Sequence, residues 1–259
     1  MNILDILAQS AKERTELNKL RLPAAEIEQR ALALPKLGFE FERALKKEDI
    51  AFICECKKAS PSKGLISPDF PYLEIARDYE AAGADAISVL TEPTKFLGSD
   101  EYLGEIAKSV SVPCLRKDFT VDSYMIFEAR LLGAKAVLLI CSILEPPQIR
   151  DYIQICDFLG LSALCEAHGE SEVEALLGCG ARVIGVNNRN LKDFSVDTSN
   201  SRRLRELVPK DRVFVSESGV SSPDDISALR EIGADAVLVG ETLMRAKDKS
   251  ARLKELKGL

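Results

Sequence analysis

Apolar and polar residues alternate along the chain in blocks that are typical of helices followed by buried strands. Four similar stretches recur, AAGADAISVL, LLGAKAVLLI, GCGARVIGV and EIGADAVLVG, and in each a helix-like segment ends at a glycine before an apolar run. A glycine suits the left-handed position that closes a helix, and a continuous apolar run suits a strand buried on both faces. We therefore predict a helix-to-strand junction at Gly83, Gly133, Gly180 and Gly233.

The spacing of these junctions predicts the number of strands. Successive junction glycines are 50, 47 and 53 residues apart, which leaves room for two strand–helix units in each interval. The intervening strands are predicted at residues 50–56, 112–118, 161–167 and 212–218. Eight such units in about 200 residues are typical of an α/β protein with a (β/α)8 TIM barrel. A doubly wound open sheet is the alternative, although no glycine-rich dinucleotide fingerprint follows any predicted strand.

The N-terminal part of the chain has a different pattern. Residues 1–48 precede the first predicted strand and read as helices, most clearly in PAAEIEQRALAL. We expect residues 1–259 to form a single barrel domain, with residues 1–48 as a helical N-terminal extension rather than a second domain.

Composition narrows the class of protein and its partners. A hydrophobic content of 46% without low-complexity tracts indicates a globular protein with a sizeable core. The net charge of −6 and the pI near 5.2 argue against nucleic acid or an anionic membrane as a partner. An acidic protein can still bind a phosphorylated small molecule through a few local donors. No obligate protein partner is evident.

The cysteines and the N-terminus indicate where the protein works. Most of the seven cysteines stand beside aliphatic residues, and none forms paired CxxC motifs, so we interpret them as buried apolar side chains in a reducing compartment. The first residues, MNILDILAQSAKER, carry Asp5 within the apolar stretch and lack the basic leader of a secretion signal. The longest apolar runs are too short to span a bilayer. We expect a cytoplasmic protein.

Polar residues end five of the predicted strands. Side chains alternate along a strand, so Glu55 and Lys57 share a face with Ile53, and Glu217 shares a face with Val215. One polar strand end is equally a strand running into solvent, but five on one rim favour a site, because burying charges is costly unless they are paired or used. Barrel active sites lie at the carboxyl ends of the strands. The candidates there are Glu55, Lys57, Lys117, Glu166, Asn187, Arg189, Glu217 and Ser218.

Glycine-containing turns follow the last two predicted strands, in SESGVSSPDD and VGETLMR. The second opens a predicted helix, and helix N-termini bind phosphate through backbone N–H groups and the helix dipole. We predict a phosphate site at Ser218, Gly219, Gly240 and Glu241, a location that barrels often use; alternatively, the glycines only form turns. The Glu241 carboxylate would repel phosphate, so its side chain has to point away while its N–H binds.

The only histidine, His168, follows Glu166 by two residues. Histidine suits acid–base chemistry, but this one lies past the predicted strand end, and a structural or surface role is the favoured interpretation. A single histidine gives little support to a Ser-His-Asp triad or to a histidine-rich metal site. We expect neither a metal nor a cofactor.

Eight short stretches that carry these residues occur in a distinctive order. They are ECKKASPSKG, LTEPTKFLGS, LRKDF, LLICSIL, CEAH, IGVNNRNL, SESGV and LVGETLM. Together they resemble the indole-3-glycerol phosphate synthase family of tryptophan biosynthesis over nearly the whole chain, and KKASPSKG, RKDF and NNRNL in this order are the most specific part. The chain has no room for a second barrel, so the likeness is to the monofunctional form.

The resemblance implies a carbon–carbon lyase that closes the ring of 1-(2-carboxyphenylamino)-1-deoxyribulose 5-phosphate to indole-3-glycerol phosphate, with loss of CO2 and water. Attack of an aromatic carbon on a ketone needs an acid for the developing alkoxide, and the resemblance assigns this role to Lys117. Burial or neighbouring cations would lower the Lys117 pKa toward neutrality. Lys57 would contact substrate and act as acid in dehydration, Glu55 would be a base, and Glu166 would be a base or stabilise a cationic intermediate. The implied catalytic set is Lys117, Glu166, Lys57, Glu55, Asn187 and Glu217.

The resemblance also implies substrate contacts. Arg189 would lie near the carboxylate that leaves, and Ser60 and Pro61 would open a loop that covers the site. Phosphate would bind at the Ser218–Gly219 and Gly240–Glu241 turns. An apolar wall for the anthranilate ring would comprise Pro61, Phe96, Phe119, Leu138, Leu191 and Leu238, although each of these also suits a core.

Three other functions fit parts of the pattern. A Schiff-base aldolase would use Lys117 as its nucleophile, and borohydride trapping with a ketose phosphate would reveal it. A sugar-phosphate isomerase on the same fold would convert the ribulose without forming indole or CO2. A barrel retained for binding alone would have no turnover for Lys117→Ala to remove.

Overall fold

The computed structural model describes residues 3–190 and 194–259. Across these residues, eight parallel strands follow one another around a closed barrel, and the last strand pairs with the first. They are β1 (Ala51–Cys56), β2 (Ala86–Leu90), β3 (Cys114–Lys117), β4 (Ala136–Ile140), β5 (Ser162–Ala167), β6 (Val183–Asn187), β7 (Val213–Glu217) and β8 (Ala236–Val239). The predicted TIM barrel is confirmed.

Three helices precede the barrel, as the N-terminal pattern predicted: α1 (Ile3–Arg21), α2 (Ala24–Leu32) and α3 (Glu40–Leu45). The inner face of α1 buries Leu7, Ala8 and Ala11 against apolar residues at the carboxyl ends of the strands. Arg14 of the same helix donates to both carboxylate oxygens of Asp118, at 2.7 and 2.8 Å. The N-terminal extension therefore lies against the end of the barrel that holds the strand-terminal charges.

The remaining helices alternate with the strands and begin and end where local chemistry dictates. The side chains of Ser99, Asp122 and Ser222 cap three of them by accepting backbone N–H bonds. The four junction glycines have φ between 73 and 93°, the left-handed conformation predicted for them. These helices are α4 (Tyr72–Ala81), α5 (Asp100–Ser109), α6 (Ser123–Leu131), α7 (Pro146–Leu159), α8 (Glu170–Gly178), α9 (Ser199–Arg205), α10 (Pro223–Glu231), α11 (Glu241–Arg245) and α12 (Lys249–Lys257).

Two short elements lie in loops that follow the carboxyl ends of strands. Ala59–Ser60 pairs with Gly64–Leu65 as a small antiparallel hairpin after β1, and a 3-10 turn, Cys141–Ile143, follows β4. Among the helices of the described residues, none has the length and the apolar character that a membrane span requires.

The core has two layers that follow from strand alternation. Ile53, Leu115, Leu164 and Val215 point into the barrel and belong to one buried cluster, which also includes residues of α1. The alternate side chains, including Phe52 and several cysteines, pack between strands and helices. All seven cysteines are free thiols and only Cys141 is partly exposed, as expected for small buried side chains. The strand faces predicted to carry the charges are the inward faces, so those charges meet at one end of the barrel.

Candidate active site

The carboxyl ends of the strands surround a cavity that opens to solvent. It brings together the predicted polar residues Glu55, Lys57, Ser60, Lys117, Glu166, Asn187, Arg189, Glu217, Ser218 and Glu241, with the predicted apolar residues Pro61, Phe96, Phe119, Leu138 and Leu238. Gly219 and Gly240 line an adjoining cavity that shares Lys57, Ser218 and Glu241. Leu191, the remaining residue of the predicted set, lies outside the described residues.

Lys117 stands at the centre of the charged residues. Its Nζ atom lies 3.4 Å from Glu166 Oε2 and 3.7 Å from Glu217 Oε2. Burial alone would lower the Lys117 pKa, but the carboxylates of Glu166, Glu217 and Glu55 outweigh burial and raise it above its ordinary value. The expectation of a lowered pKa was therefore wrong: the neighbours of this lysine are anions, and its side chain is held as an ammonium ion.

Glu55 and Lys57 form the second charged pair, at the end of β1. Lys57 Nζ donates to Glu55 Oε1 at 2.8 Å, and Ser88 Oγ on β2 donates to Glu55 Oε2 at 3.3 Å. Burial raises the Glu55 pKa, but Lys57 and Lys117 more than compensate and hold it below its usual value. The acid and the base at the end of this buried strand are thus paired with each other inside the cavity.

The carboxyl groups of Glu166 and Glu217 have pKa values shifted in opposite directions. Glu166 is buried, but Lys117 and His168 hold its pKa below the ordinary value. Burial and the neighbouring Glu166 raise the pKa of Glu217 to about 8. Within the described residues, Glu217 Oε1 has no hydrogen-bond partner. The cavity therefore holds one carboxylate that is ionised at neutral pH and one that retains a proton in most molecules, a pairing typical of acid–base sites.

Asn187 connects the carboxylates to the turn after β7. Its Nδ2 donates to Glu166 Oε1 at 3.2 Å, and its Oδ1 accepts from the backbone N–H of Arg189 and from Ser218 Oγ, both at 3.0 Å. Arg189 is further fixed by a bond from its guanidinium to the Phe194 carbonyl at 3.2 Å. One amide side chain thereby sets the relative positions of Glu166, Arg189 and Ser218.

The apolar wall forms at the opposite side of the cavity. The rings of Phe96 and Phe119 lie 6.3 Å apart between centroids, and Leu138 lines the same wall. Phe96 is held by the buried carboxylate of Glu92, which accepts backbone N–H bonds from Lys95 and Phe96 at 2.7 and 2.9 Å. The buried Glu92 side chain thus fixes the loop after β2 and, with it, the position of Phe96 in the wall.

The predicted phosphate site comprises two turns, one at Ser218 and Gly219 and one at Gly240 and Glu241, and the Glu241 carboxylate there is surrounded by cations. Ser218 and Gly219 both have positive φ, 68 and 95°, and α11 begins at Glu241 directly after Gly240. The Glu241 side chain contacts Arg245 at 3.0 Å, Lys63 at 3.5 Å and Arg189 at 3.8 Å. Its carboxylate therefore lies among three cations that line the same cavity, which neutralise it without turning it away from the site.

Several residues of the site were missed or misjudged from the sequence. His168, for which the sequence favoured a structural or surface role, is partly buried beside the active site: its side chain is 21% exposed, and Nε2 lies 3.6 Å from Glu166 Oε1. Asn188 is buried and donates to Ser216 Oγ and to the Ser218 carbonyl, at 3.1 and 3.0 Å. Its position next to Asn187 in NNRN was the available indication, but alternation places it on the face away from the cavity.

Among residues 3–190 and 194–259, no cluster of three or more histidine, cysteine and carboxylate side chains could hold a metal ion. The charged side chains at the barrel end instead bond to one another and to backbone groups, as described above.

Comparison with known proteins first supports the barrel fold and then identifies a family. A crystal structure of 3-hexulose-6-phosphate synthase matches with a TM-score of 0.64 at 16% identity, over 81% of this chain and 99% of that one. Thiamine phosphate pyrophosphorylase from Pyrococcus furiosus matches with a TM-score of 0.61 at 17% identity, over 84% and 96% of the two chains. At such identities the likeness shows the barrel fold alone.

The sequence matches are much closer. The family model for indole-3-glycerol phosphate synthase matches residues 4–256. An indole-3-glycerol phosphate synthase from Ruminiclostridium cellulolyticum is 58% identical over 99% of both chains, and one from Endomicrobium trichonymphae is 52% identical over 98% of this chain and 99% of its own. The chain belongs to the indole-3-glycerol phosphate synthase family, whose members are carboxy-lyases of tryptophan biosynthesis. The prediction from the motifs is confirmed.

Proposed function

We propose that this chain converts 1-(2-carboxyphenylamino)-1-deoxyribulose 5-phosphate to indole-3-glycerol phosphate, CO2 and water, through the cavity residues described above. The observation that carries the proposal is the position of the Lys117 ammonium group. It lies among the side chains of Glu55, Glu166 and Glu217, in a cavity that has an aromatic-lined wall on one side and a turn suited to phosphate on the other. The substrate is thus a phosphorylated small molecule with an apolar ring at its other end.

Lys117 acts as the acid of ring closure. Its raised pKa keeps it protonated at neutral pH, so a proton is available when the aromatic carbon attacks the ketone and negative charge develops on the oxygen. After the transfer, the neutral amine lies within 3.7 Å of both Glu166 and Glu217. Glu217, with a pKa of about 8, retains a proton at neutral pH that can restore the ammonium.

The remaining charged residues serve the steps that follow. Arg189 faces the carboxylate that leaves as CO2, and Asn187 holds Arg189 and Glu166 in register. Lys57 protonates the hydroxyl that leaves as water, while Glu55 or Glu166 takes the proton released from the ring system. The 2.8 Å contact between Lys57 and Glu55 supports this division, because an acid and a base must act next to each other there.

Substrate binding bends the chain between two fixed ends. Pro61, Phe96, Phe119, Leu138 and Leu238 enclose the anthranilate ring, and Ser60 lies in the hairpin loop that covers it. The backbone N–H groups of the Ser218–Gly219 and Gly240–Glu241 turns bind the phosphate. Holding both ends brings the aromatic carbon toward the ketone, and such positioning lowers a barrier by several kcal/mol.

The charge state of Lys117 favours this function over an aldolase. A Schiff base needs a neutral amine as nucleophile, whereas three carboxylates raise the Lys117 pKa and favour the ammonium ion. Nucleophilic lysines are instead activated by apolar or cationic surroundings. An isomerase that converts a ribulose phosphate without an aromatic ring needs no apolar pocket. The wall of Phe96 and Phe119 would then have no ligand.

The wider setting belongs to the same proposal. The chain forms one domain over residues 1–259, with residues 1–48 as the extension that closes one side of the active site. It works in the cytoplasm without a metal, a cofactor or an obligate protein partner. The contacts of α1 with apolar residues at the barrel end support a single domain with an N-terminal extension.

The test is the formation of indole from the carboxyphenylamino-deoxyribulose phosphate, followed by fluorescence and by CO2 release without added metal or cofactor. The chain has no tryptophan, so the product signal has little protein background. We expect one CO2 for each indole formed. No indole from folded protein would contradict the proposal, and borohydride trapping of Lys117 by a ketose phosphate would favour the aldolase instead.

A further inference from the structure

His168 occupies a position between two carboxylates that the proposed mechanism does not use. It follows the end of β5, and its ring lies between Glu166 of the active site and Glu172 of α8. Nε2 is 3.6 Å from Glu166 Oε1, and Nδ1 is 3.6 Å from Glu172 Oε2. Within the described residues, Nε2 is buried and makes no hydrogen bond. A small rotation of either side chain would close the gap to Glu166.

The backbone of His168 is clamped so that the ring stays in this place. Its N–H donates to Glu172 Oε2 at 2.7 Å, and its carbonyl accepts from Asn200 Nδ2 at 3.2 Å. Glu172 therefore binds both the backbone of His168 and one edge of its ring. The other edge is directed at the active-site carboxylate, on whose far side Lys117 lies at 3.4 Å.

A second cavity adjoins the active-site cavity, with which it shares Leu4, Asn187 and Arg189, and it reaches the ring from the side of the loop after β6. It is lined by His168 and Glu172, by Leu4 of α1 and Ser142 after β4, and by polar residues of the loop after β6. The His168 side chain is 21% exposed, whereas Glu166 is only 2% exposed. Water thus reaches the imidazole more readily than it reaches the carboxylate behind it.

The proposed reaction has a proton requirement that the active site alone does not meet. The substrate loses a carboxylate as CO2 and a hydroxyl as water, so one proton is taken up from solvent in each turnover at neutral pH. The bound substrate fills the cavity that contains Lys117, and the apolar ring blocks one side of it. Glu217 can return one proton to Lys117, but it must then be protonated again itself, so the site still needs a route for a proton from solvent.

We infer that His168 is the positioning residue through which Glu166 exchanges protons with solvent, an inference that rests on the proposed function. The imidazolium gives its Nε2 proton to Glu166 Oε1 and is protonated again from water before the next turnover. The protonated Glu166 carboxyl group then rotates, so that the same proton faces the neutral Lys117 amine and passes to it, which restores the ammonium. Each transfer moves one proton and leaves every bond between heavy atoms intact.

The electrostatics of the groups around the ring agree with this route. Burial lowers the His168 pKa, but Glu172, Glu166 and more distantly Glu217 raise it above the ordinary value. Imidazolium is therefore populated near neutrality and lies beside the carboxylate that it would protonate. Asn200, which faces the residue from α9, is uncharged and does not compete for the proton.

The single histidine makes the first test direct and independent of substrate. In protein prepared without a histidine tag, the imidazole resonances report on His168 alone. We expect its pKa to lie above 6.5 and to fall in Glu172→Gln, while the exposed control Glu174→Gln leaves it unchanged. An equal titration in wild type and Glu172→Gln would overturn the geometry on which the inference depends.

The second test uses turnover and chemical rescue. His168→Ala should lower kcat by about tenfold or more at neutral pH with little change in KM, and added imidazole should restore part of it. Pyrazole, of similar size but hardly basic, should not, and imidazole should not accelerate wild type. His168→Gln, which fills the space without titrating, should be slow and should lose the decline of kcat that wild type shows as the imidazolium deprotonates with rising pH.

The outcomes separate this inference from the proposed function. No indole from wild type would remove the proposed function and the inference together. An active wild type with an equally active His168→Gln would overturn only the inference, as would a slow His168→Ala that pyrazole rescues as well as imidazole does. A slow His168→Ala rescued by imidazole alone would establish it.

Discussion

Replacing Glu217 with glutamine tests whether the folded protein holds a buried carboxyl group against its preference to ionise. The side chain is 2% exposed, and one of its oxygens has no hydrogen-bond partner within the described residues. Burial and the neighbouring Glu166 raise its pKa from 4.5 to about 8. Glutamine has nearly the same shape and carries no charge at any pH, so the variant isolates the effect of ionisation.

The sign of the effect follows from proton uptake on folding. Between pH 4.5 and about 8 the folded protein keeps a proton on Glu217 that the unfolded chain releases. Stability from this group is therefore full below pH 4.5 and is lost progressively as the pH rises toward 8. One pKa unit corresponds to about 1.4 kcal/mol, so the loss amounts to at most about 5 kcal/mol by pH 8.

We expect Glu217→Gln to match wild type in free energy of unfolding near pH 5 and to exceed it increasingly toward pH 8. The assay is urea denaturation followed by far-UV circular dichroism, because the chain has no tryptophan to report unfolding. The exposed control Glu174→Gln should differ from wild type by a constant amount. A Glu217→Gln difference that is independent of pH would refute the reasoning and would mean that Lys117 neutralises this carboxylate fully.

Two other changes probe how the site is supported. Gly185→Ala should lower kcat by about tenfold or more, because a Cβ there would overlap Glu217 Oε1; the exposed Gly178→Ala, with no atom nearby, is the control in steady-state kinetics, and an active Gly185→Ala would contradict the packing. Arg14→Ala should destabilise the protein by about 3 kcal/mol, because it leaves the fully buried Asp118 without its bidentate partner. Thermal and urea unfolding measure this loss, and an effect no larger than that of the exposed Arg21→Ala would count against it.

The strand pattern was sufficient to predict the barrel and much of its active rim. A period of two along each strand places Glu55, Lys117 and Glu217 on the inward face, and parallel strands bring their ends together. The glycine junctions repeat because every helix-to-strand connection needs the same left-handed turn. Such features depend on residues that are neighbours in the sequence, so they can be predicted without knowing the fold.

The parts that escaped prediction depend on contacts between distant segments. Arg14 meets Asp118 across 104 positions of the chain, and Ser88 meets Glu55 across 33. The charge state of Lys117 was wrongly predicted because the alternation shows which face a residue occupies, but not which charges face it across the barrel. The position of His168 beside Glu166 was missed for a different reason: the two residues are only two positions apart, but the predicted strand ended before the histidine, so the alternation was not extended to it.

The most direct measurement of the central claim compares kcat/KM of wild type, Lys117→Met and Lys108→Met for indole formation. Lys108 is an exposed lysine on α5, so its replacement makes the same chemical change away from the cavity. If Lys117 is the acid of ring closure, Lys117→Met should lose about 100-fold or more, while Lys108→Met stays near wild type. Retention of most activity by a folded Lys117→Met would contradict the account.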